Sequence, residues 1–296
     1  MSTQAIVRDT SASAAARQVA GRRGRTRNAW LGVAAWIIGL IFVTPILWMV
    51  LTSLHSEVDA ATNPPSLFAP LTLDAYANFF GLNGGANAWP FLVNSLMASV
   101  LSTLLVLVLA IPAAYALSIR PVRKWSDVLF FFLSTKMMPI VAGLLPIYLI
   151  AKTLGALDTI GLLVVLYTSM NLPIAVWMMR SFLSELPVET LEAASIDGAG
   201  TYTLFTRVII PLAAPGIAAT SLICFIFSWN ELLFATVLTS TTSSTAPVFL
   251  TSFVTGRGLI LAQVCAASVV VSLPVLIAGF AAQDKLVQGI SLGAVK

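Results

Sequence analysis

Residues Ser184–Gly216 read SELPVETLEAASIDGAGTYTLFTRVIIPLAAPG. This is the long polar-rich interruption in the second half of a chain otherwise made of membrane-length apolar runs. From Pro187 onward, VETLEAAS holds good helix formers and no breaker. Pro187 suits a first helical turn, where its missing N–H is not needed. Glu185, Glu189 and Glu192, spaced i, i+4, i+7, fall near one face of such a helix, beside a stripe of Val188, Leu191 and Ala194 or Ser195. Gly198 and Gly200 permit a sharp turn with positive φ. Thr201 can cap a second helix through its hydroxyl, and Pro211 and Pro215 bend or restart the chain. A helix lying on lipid headgroups is one reading of this stretch. An inner-leaflet helix should be basic, however, because that surface is anionic. An acidic one better fits a basic protein partner in the water phase.

The flanking sequence fixes the solvent. The 296 residues are 58% apolar and 9% charged, with a mean hydropathy of +0.94. A soluble domain carries about 25% charged residues, so this chain cannot cover a water-facing surface. A hydrocarbon core of about 30 Å needs a helix of about 20 apolar residues, and only helices or closed barrels satisfy their backbone there. The runs are continuous rather than alternating, which excludes a barrel. The expected fold class is an all-α membrane protein with about six transmembrane helices: 30–54, 91–119, 128–151, 160–183, 213–238 and 259–282.

Short-loop lysines and arginines set the orientation. One side collects Arg17, Arg22, Arg23, Arg25, Arg27, Arg120, Arg123, Lys124, Arg180, Arg207, Lys285 and Lys296; the other has Lys152 and Arg257. The first side, both termini and the acidic loop are therefore expected in the cytoplasm. Residues 1–28, rich in Ala, Ser and Arg, form an expected disordered arm. A cleaved signal peptide fits less well, because the following apolar run is too long and lacks a small-residue cleavage site. The membrane domain then covers residues 29–296, with the cytoplasmic loop at 184–211.

Several chemistries lack their residues. Cys224 and Cys265 lie in apolar runs and read as small core residues. One histidine, His55, with two membrane thiols makes no metal site. There is no G-x-x-x-x-G-K-[ST] phosphate loop, no G-x-S-x-G elbow and no Ser–His–Asp set. The chain is not expected to be an enzyme, and energy must come from another polypeptide.

The loop resembles the EAA loop of bacterial ABC importer permeases. That pattern is Glu-Ala-Ala, three residues, Gly, nine residues, then Ile-x-Leu-Pro. Here it appears as Glu192-Ala193-Ala194, Gly198 and Val208-Ile209-Ile210-Pro211, with Val208 and Ile210 as departures conservative in size. EAASIDGA, with NSLMAS, IPAAYALS, SWNELLFA and the tail GISLGAVK, is similar to the carbohydrate branch, the maltose-type inner permease subunit. The resemblance implies a type I ABC importer permease fold in a bacterial cell membrane. It implies a coupling helix seated on a cytoplasmic ATPase, its face formed by Glu189, Glu192, Ala193, Ala194, Asp197, Gly198 and Pro211. The implied partners are a second permease subunit, two ATP-binding subunits or domains, an extracytoplasmic solute-binding protein, a sugar or polyol, and the lipid bilayer. Nucleic acid is not among them. ATP and Mg²⁺ would sit on the partner subunits, leaving no cofactor in this chain. The segment between spans five and six matches in position one that reaches into the external binding protein.

Lys136, in LSTKMMP, lies about nine residues beyond Asp127, roughly 14 Å deep at 1.5 Å per residue. A central lysine costs at least ~2.5 kcal/mol, so it should face a cavity or partner. Pro139 and Pro146 each remove a backbone donor, and a broken helix beside a charge suits a substrate path. A lysine snorkelling to headgroups or paired inside the bundle is the plain alternative. Asn230 and Glu231 either pack a helix end, with Glu231 reaching outer water, or line a path for a hydroxyl-rich solute. STKMMP and LLPIYLIAKTLGALDT also look like the mannitol and sorbitol branch. The rival function is an ion-coupled secondary transporter with Lys136 and Glu231 as its relay. Such carriers usually show internal repeats, and no clear repeat is present.

Overall fold

The computed structural model describes residues 30–62, 68–84, 87–119, 122–255 and 258–294. The arm expected over 1–28 lies outside the described residues, as do Arg120, Arg257 and Lys296. The chain begins with α1 (Trp30–Ser53), two short helices α2 (Glu57–Ala60) and α3 (Asp74–Phe79), then α4 (Trp89–Ser118). It continues with α5 (Trp125–Thr135), α6 (Ile140–Thr153), α7 (Ile160–Leu183) and α8 (Val188–Ile196). After α8 come α9 (Thr201–Thr203), a π-helical turn (Leu204–Ile209) and α10 (Ile210–Leu212). The last helices are α11 (Ala214–Trp229), α12 (Leu233–Leu238), α13 (Ala246–Thr251) and α14 (Leu261–Ala294). A minimal antiparallel pair, β1 (Val254–Thr255) and β2 (Gly258–Leu259), precedes α14 and is the exception to an all-helical chain among the described residues.

Four helices are long and apolar enough to cross a membrane, and six spans result if each of two bent pairs counts as one. The sequence marks a break in span three near Pro139 and a bend at the entry to span five near Pro211 and Pro215, and the structure bends the chain at both places. Helices α5 and α6 meet at 82°, and the 201–212 segment meets α11 at 77°. Prolines stand at both bends. Pro139 occupies the N-cap of α6, and Pro215 lies in the first turn of α11. The expected fifth span runs too far. Helix α11 stops at Trp229, and α12 starts afresh because Glu231 supplies acceptors for its first N–H groups.

The bundle centre is the pair α4 and α7, with α11 packed on both and α14 on α11. Ser95, Ser99, Ser102, Val106, Ala110 and Ala114 of α4 are all buried at helical spacing. Lipid gives helices no hydrophobic reason to associate, so close backbone approach through small residues must supply the packing. Gly216 follows the same rule on α11: a Cβ there would overlap the Phe182 side chain of α7. In contrast, the most apolar stretch of α1 buries nothing against the rest of the chain.

Candidate functional site

The acidic loop is tethered from beneath. Leu191 of α8, Leu204 and Ile209 are buried in one cluster with Leu117 of α4 and Met179 and Leu183 of α7. These three side chains fasten the loop to the same ends of α4 and α7 that lie near Arg180, whose guanidinium sits 3.9 Å from the Trp125 ring centroid. Pro187 is the residue before the helix, one position outside the expected first turn. Gly198 closes the helix with φ +80°. The Ala199 N–H donates to the Ala194 carbonyl (3.0 Å) and the Gly198 N–H to the Ser195 carbonyl (3.2 Å). This pair of bonds around a left-handed residue is a Schellman closure, which favours glycine because no Cβ crowds the turn.

The second helix differs from expectation. Gly200, not Thr201, holds the cap, and no side chain bonds there. The Leu204 N–H reaches the Gly200 carbonyl at 2.9 Å, so Thr201 is already the first helical residue. The wide π-turn over 204–209 precedes Pro211, whose ring would crowd the Arg207 carbonyl in a regular α-helix.

Above this tether the loop offers an acidic and apolar tip. Glu185, Glu189, Glu192 and Asp197 are exposed, and among the described residues none has an ion-pair partner. Ala193, Gly198 and Pro211 are exposed beside them, and Ala194 is half-buried. Ile196 is 85% exposed and Tyr202 82% exposed, flanking the carboxylates. The sequence reading passed over these two, because their apolar character alone suits either a core or a contact. A cleft of about 450 Å³ lies under the tip between α8 and the end of α4, lined by Tyr115, Ile119, Glu192 and Ser195 among others.

At the opposite end of the bundle, Asp158 was also missed. Its backbone is left-handed (φ 56°). Its carboxylate accepts the N–H groups of Ser240 (3.0 Å), Thr241 (3.1 Å), Thr242 (3.0 Å) and Ser243 (2.9 Å), and the Ser240 hydroxyl at 2.8 Å. Burial alone would raise this carboxyl's pKa, but the backbone donors of Ser240, Thr242 and Ser243 outweigh it and hold it well below the usual range. Asn94 donates to the carbonyls of Thr242 (2.8 Å) and Ser244 (3.0 Å), and Ser95 accepts from the Ala246 N–H at 2.8 Å. Nothing local in the sequence joins Asp158 to a run of hydroxyl residues eighty positions away.

Among the three intramembrane candidates, Lys136 lines a cavity of about 460 Å³ between α5, α6 and α7. It sits at the C-cap of α5, where the chain turns towards Pro139. Glu231 does not pair with it. The Glu231 oxygens accept the N–H groups of Phe234 (2.9 Å) and Ala235 (3.3 Å), so this residue caps α12 and aims Phe234, which does line the cavity. Asn230 is exposed and returns its amide to the Ile226 carbonyl at 2.9 Å. His55 is buried in the turn between α1 and α2.

This arrangement has close parallels. A probable ABC transporter permease of Sinorhizobium fredii is 34% identical over 94% of this chain and 99% of its own length. The diacetylchitobiose uptake system permease of Streptomyces coelicolor is 31% identical over 93% of this chain and 99% of its own. A bacterial ABC transporter involved in the import of the acidic polysaccharide alginate has a chain of the same fold. That chain aligns at a TM-score of 0.70 and 24% identity, covering 88% of this protein and 97% of itself. The family model described as binding-protein-dependent transport system inner membrane component matches residues 106–291. An ion-coupled secondary carrier and a membrane enzyme are thereby set aside: the chain is a membrane transport subunit and belongs to the family of binding-protein-dependent transport system inner membrane components.

Proposed function

We propose that this chain is a permease subunit of an ATP-driven importer for a sugar or sugar alcohol, with residues 29–296 as its membrane domain. The observation that carries the coupling role is the tip of loop 184–211. Exposed carboxylates and exposed Ile196 stand on or beside a helix whose buried Leu191 reaches the bundle core, with exposed Tyr202 just beyond its closing turn. A separate ATPase that grips Glu189, Glu192, Ala193, Ala194, Asp197 and Gly198 pushes on α4 and α7 through Leu191, Leu204 and Ile209. Pro211 and the 77° bend behind it give α11 a joint at which to swing. ATP and Mg²⁺ belong to that partner. A second permease subunit completes the pathway, and an external binding protein delivers solute.

The acidic loop shares its end of the bundle with Arg123, Lys124, Arg180 and Arg207, which supports a cytoplasmic placement. The diacetylchitobiose relative and the polyol-like STKMMP stretch support a hydroxyl-rich solute. Glu192→Lys tests the coupling role in the reconstituted complex. Solute-stimulated ATP hydrolysis should fall at least about tenfold, since a reversed charge in a contact costs more than 1.4 kcal/mol, while membrane insertion is retained. Full stimulation in that variant would refute the docking role.

A further inference from the structure

We infer that Lys136 contacts the transported solute directly, donating hydrogen bonds to its oxygen atoms in a water-filled cavity that this subunit contributes to the pathway. The inference rests on the importer reading above and extends it to the solute site.

Depth is the first argument. The α7 residues that line the Lys136 cavity, Ser169, Met170, Leu172 and Pro173, straddle the midpoint of the 24-residue helix Ile160–Leu183. At 1.5 Å per residue either end of α7 is about 15–18 Å away. A lysine on a four-carbon stem cannot carry its ammonium that far to headgroups, so snorkelling does not explain it.

The backbone makes the second argument independently. At Lys136–Pro139 the helix ladder stops. Lys136, Met137 and Met138 turn back on Leu133, Ser134 and Thr135 (3.0, 3.0 and 3.4 Å), and the next turn bond is Ala142 to Pro139. Helices α5 and α6 leave this point at 82°. A broken backbone at membrane depth is tolerated only inside protein or against a water-filled space. The cation and the break fall on one cavity.

The third argument is the lack of a resident counter-charge. Among the described residues the Lys136 ammonium has no hydrogen bond or ion pair, and the Glu231 carboxylate is occupied by the Phe234 and Ala235 N–H groups. Phe132 and Phe234 give the cavity aromatic walls, and Thr135 and Ser169 place hydroxyls on its lining. An unpaired donor, hydroxyls and flat apolar faces suit a solute with many oxygens on a carbon skeleton. Both a neutral hexitol and its acid counterpart present such oxygens.

The test uses the complete transporter in proteoliposomes, in a Cys224→Ser, Cys265→Ser background for labelling. Lys136→Cys should react with a membrane-impermeant, water-soluble thiol reagent, because the cavity is wet. This readout does not depend on ATPase coupling, so its failure is distinct from failure of the Glu192→Lys test. Uptake of sorbitol and of gluconate is then measured for wild type, Lys136→Gln and Lys136→Arg. Complex assembly is checked by co-purification. The expected result is a KM raised roughly tenfold or more in Lys136→Gln, as for loss of a charged hydrogen bond, with partial rescue by Lys136→Arg. If the effect appears with sorbitol the acceptors are hydroxyls, and if with gluconate alone a carboxylate. An unreactive thiol, an unchanged KM for Lys136→Gln, or uptake of neither solute by wild type overturns the inference.

Discussion

The two polar loops of this bundle are fastened by opposite means. At the basic end, loop 184–211 is held by packing: Leu191, Leu204 and Ile209 are buried, while its carboxylates point outward without partners among the described residues. At the other end, segment 239–246 is held by directional bonds from Asp158, Asn94 and Ser95, and its Ser243, Ser244 and Thr245 are buried. Buried peptide groups must be paired, so the second loop has one geometry. Apolar tethering fixes position without consuming polar groups, so the first loop stays able to bind something else. A lever and a brace need those two different chemistries.

The largest effect that would break this contrast lies at the lever. Ile196→Ala with Tyr202→Ala removes two exposed side chains that touch little in the chain itself. If they anchor an ATPase subunit, hot-spot losses of roughly 2 kcal/mol each together weaken association several hundredfold or more. Thermal stability of the isolated chain should shift by less than about 0.5 kcal/mol. Titration of ATPase subunit against detergent-solubilised permease, with a melting curve on the same sample, separates the two quantities. A large melting shift with undiminished association would show that the tip is structural.

Next comes the brace. Asp158→Ala leaves the N–H groups of Ser240 to Ser243 without their acceptor. The expected cost is about 2 kcal/mol after allowing for solvent access, seen as a melting temperature lower by roughly 4–8 °C. The sign of the pH dependence follows from the depressed carboxyl. Its stabilisation is complete above the ordinary value of 3.8 and drains away as pH falls below it towards the folded-state value. Wild type should therefore lose stability below about pH 4 more steeply than Asp158→Asn. Parallel acid profiles for the two would remove Asp158 from its role.

A smaller effect sharpens the lever. Gly198 has φ +80° and open space where a Cβ would point. Gly198→Ala therefore carries only the left-handed backbone penalty, about 1 kcal/mol. Measured by melting, a cost well above 2 kcal/mol would mean that an unseen neighbour crowds the turn.

Much of this could be read from residue order, and the reasons for the remainder are specific. Apolar run length places the spans, and Pro139, Pro211 and Pro215 mark where two of them bend, because a missing N–H is a local property. The EAA spacing marks the loop, and Gly198 falls where the turn needs it. The stop after Trp229 is different: no proline or glycine stands there, and only the reach of Glu231 to Phe234 and Ala235 explains it. Asp158 was invisible because its partners are remote in sequence. Ile196 and Tyr202 were invisible because exposure is decided by how the loop sits on the core, not by residue type.

The smallest effect separates two threonines that look alike in sequence. Thr159 stands before α7 with extended backbone, and its hydroxyl accepts the Leu162 N–H at 3.3 Å. Thr201 invites the same reading, yet Gly200 holds the cap and Thr201 is an exposed first helical residue without a side-chain cap bond. Removing a working threonine cap costs about 1 kcal/mol, whereas an exposed position without such a bond stays within about 0.5 kcal/mol. Thr159→Ala should therefore lower the melting temperature measurably and Thr201→Ala should not. Thr159 lies next to Asp158, so its loss also loosens the brace, while Thr201 follows the Gly198–Gly200 turn of the lever. Equal costs at the two positions would mean that Thr201 does cap the second helix, and that the loop at the basic end is held by directional bonds after all.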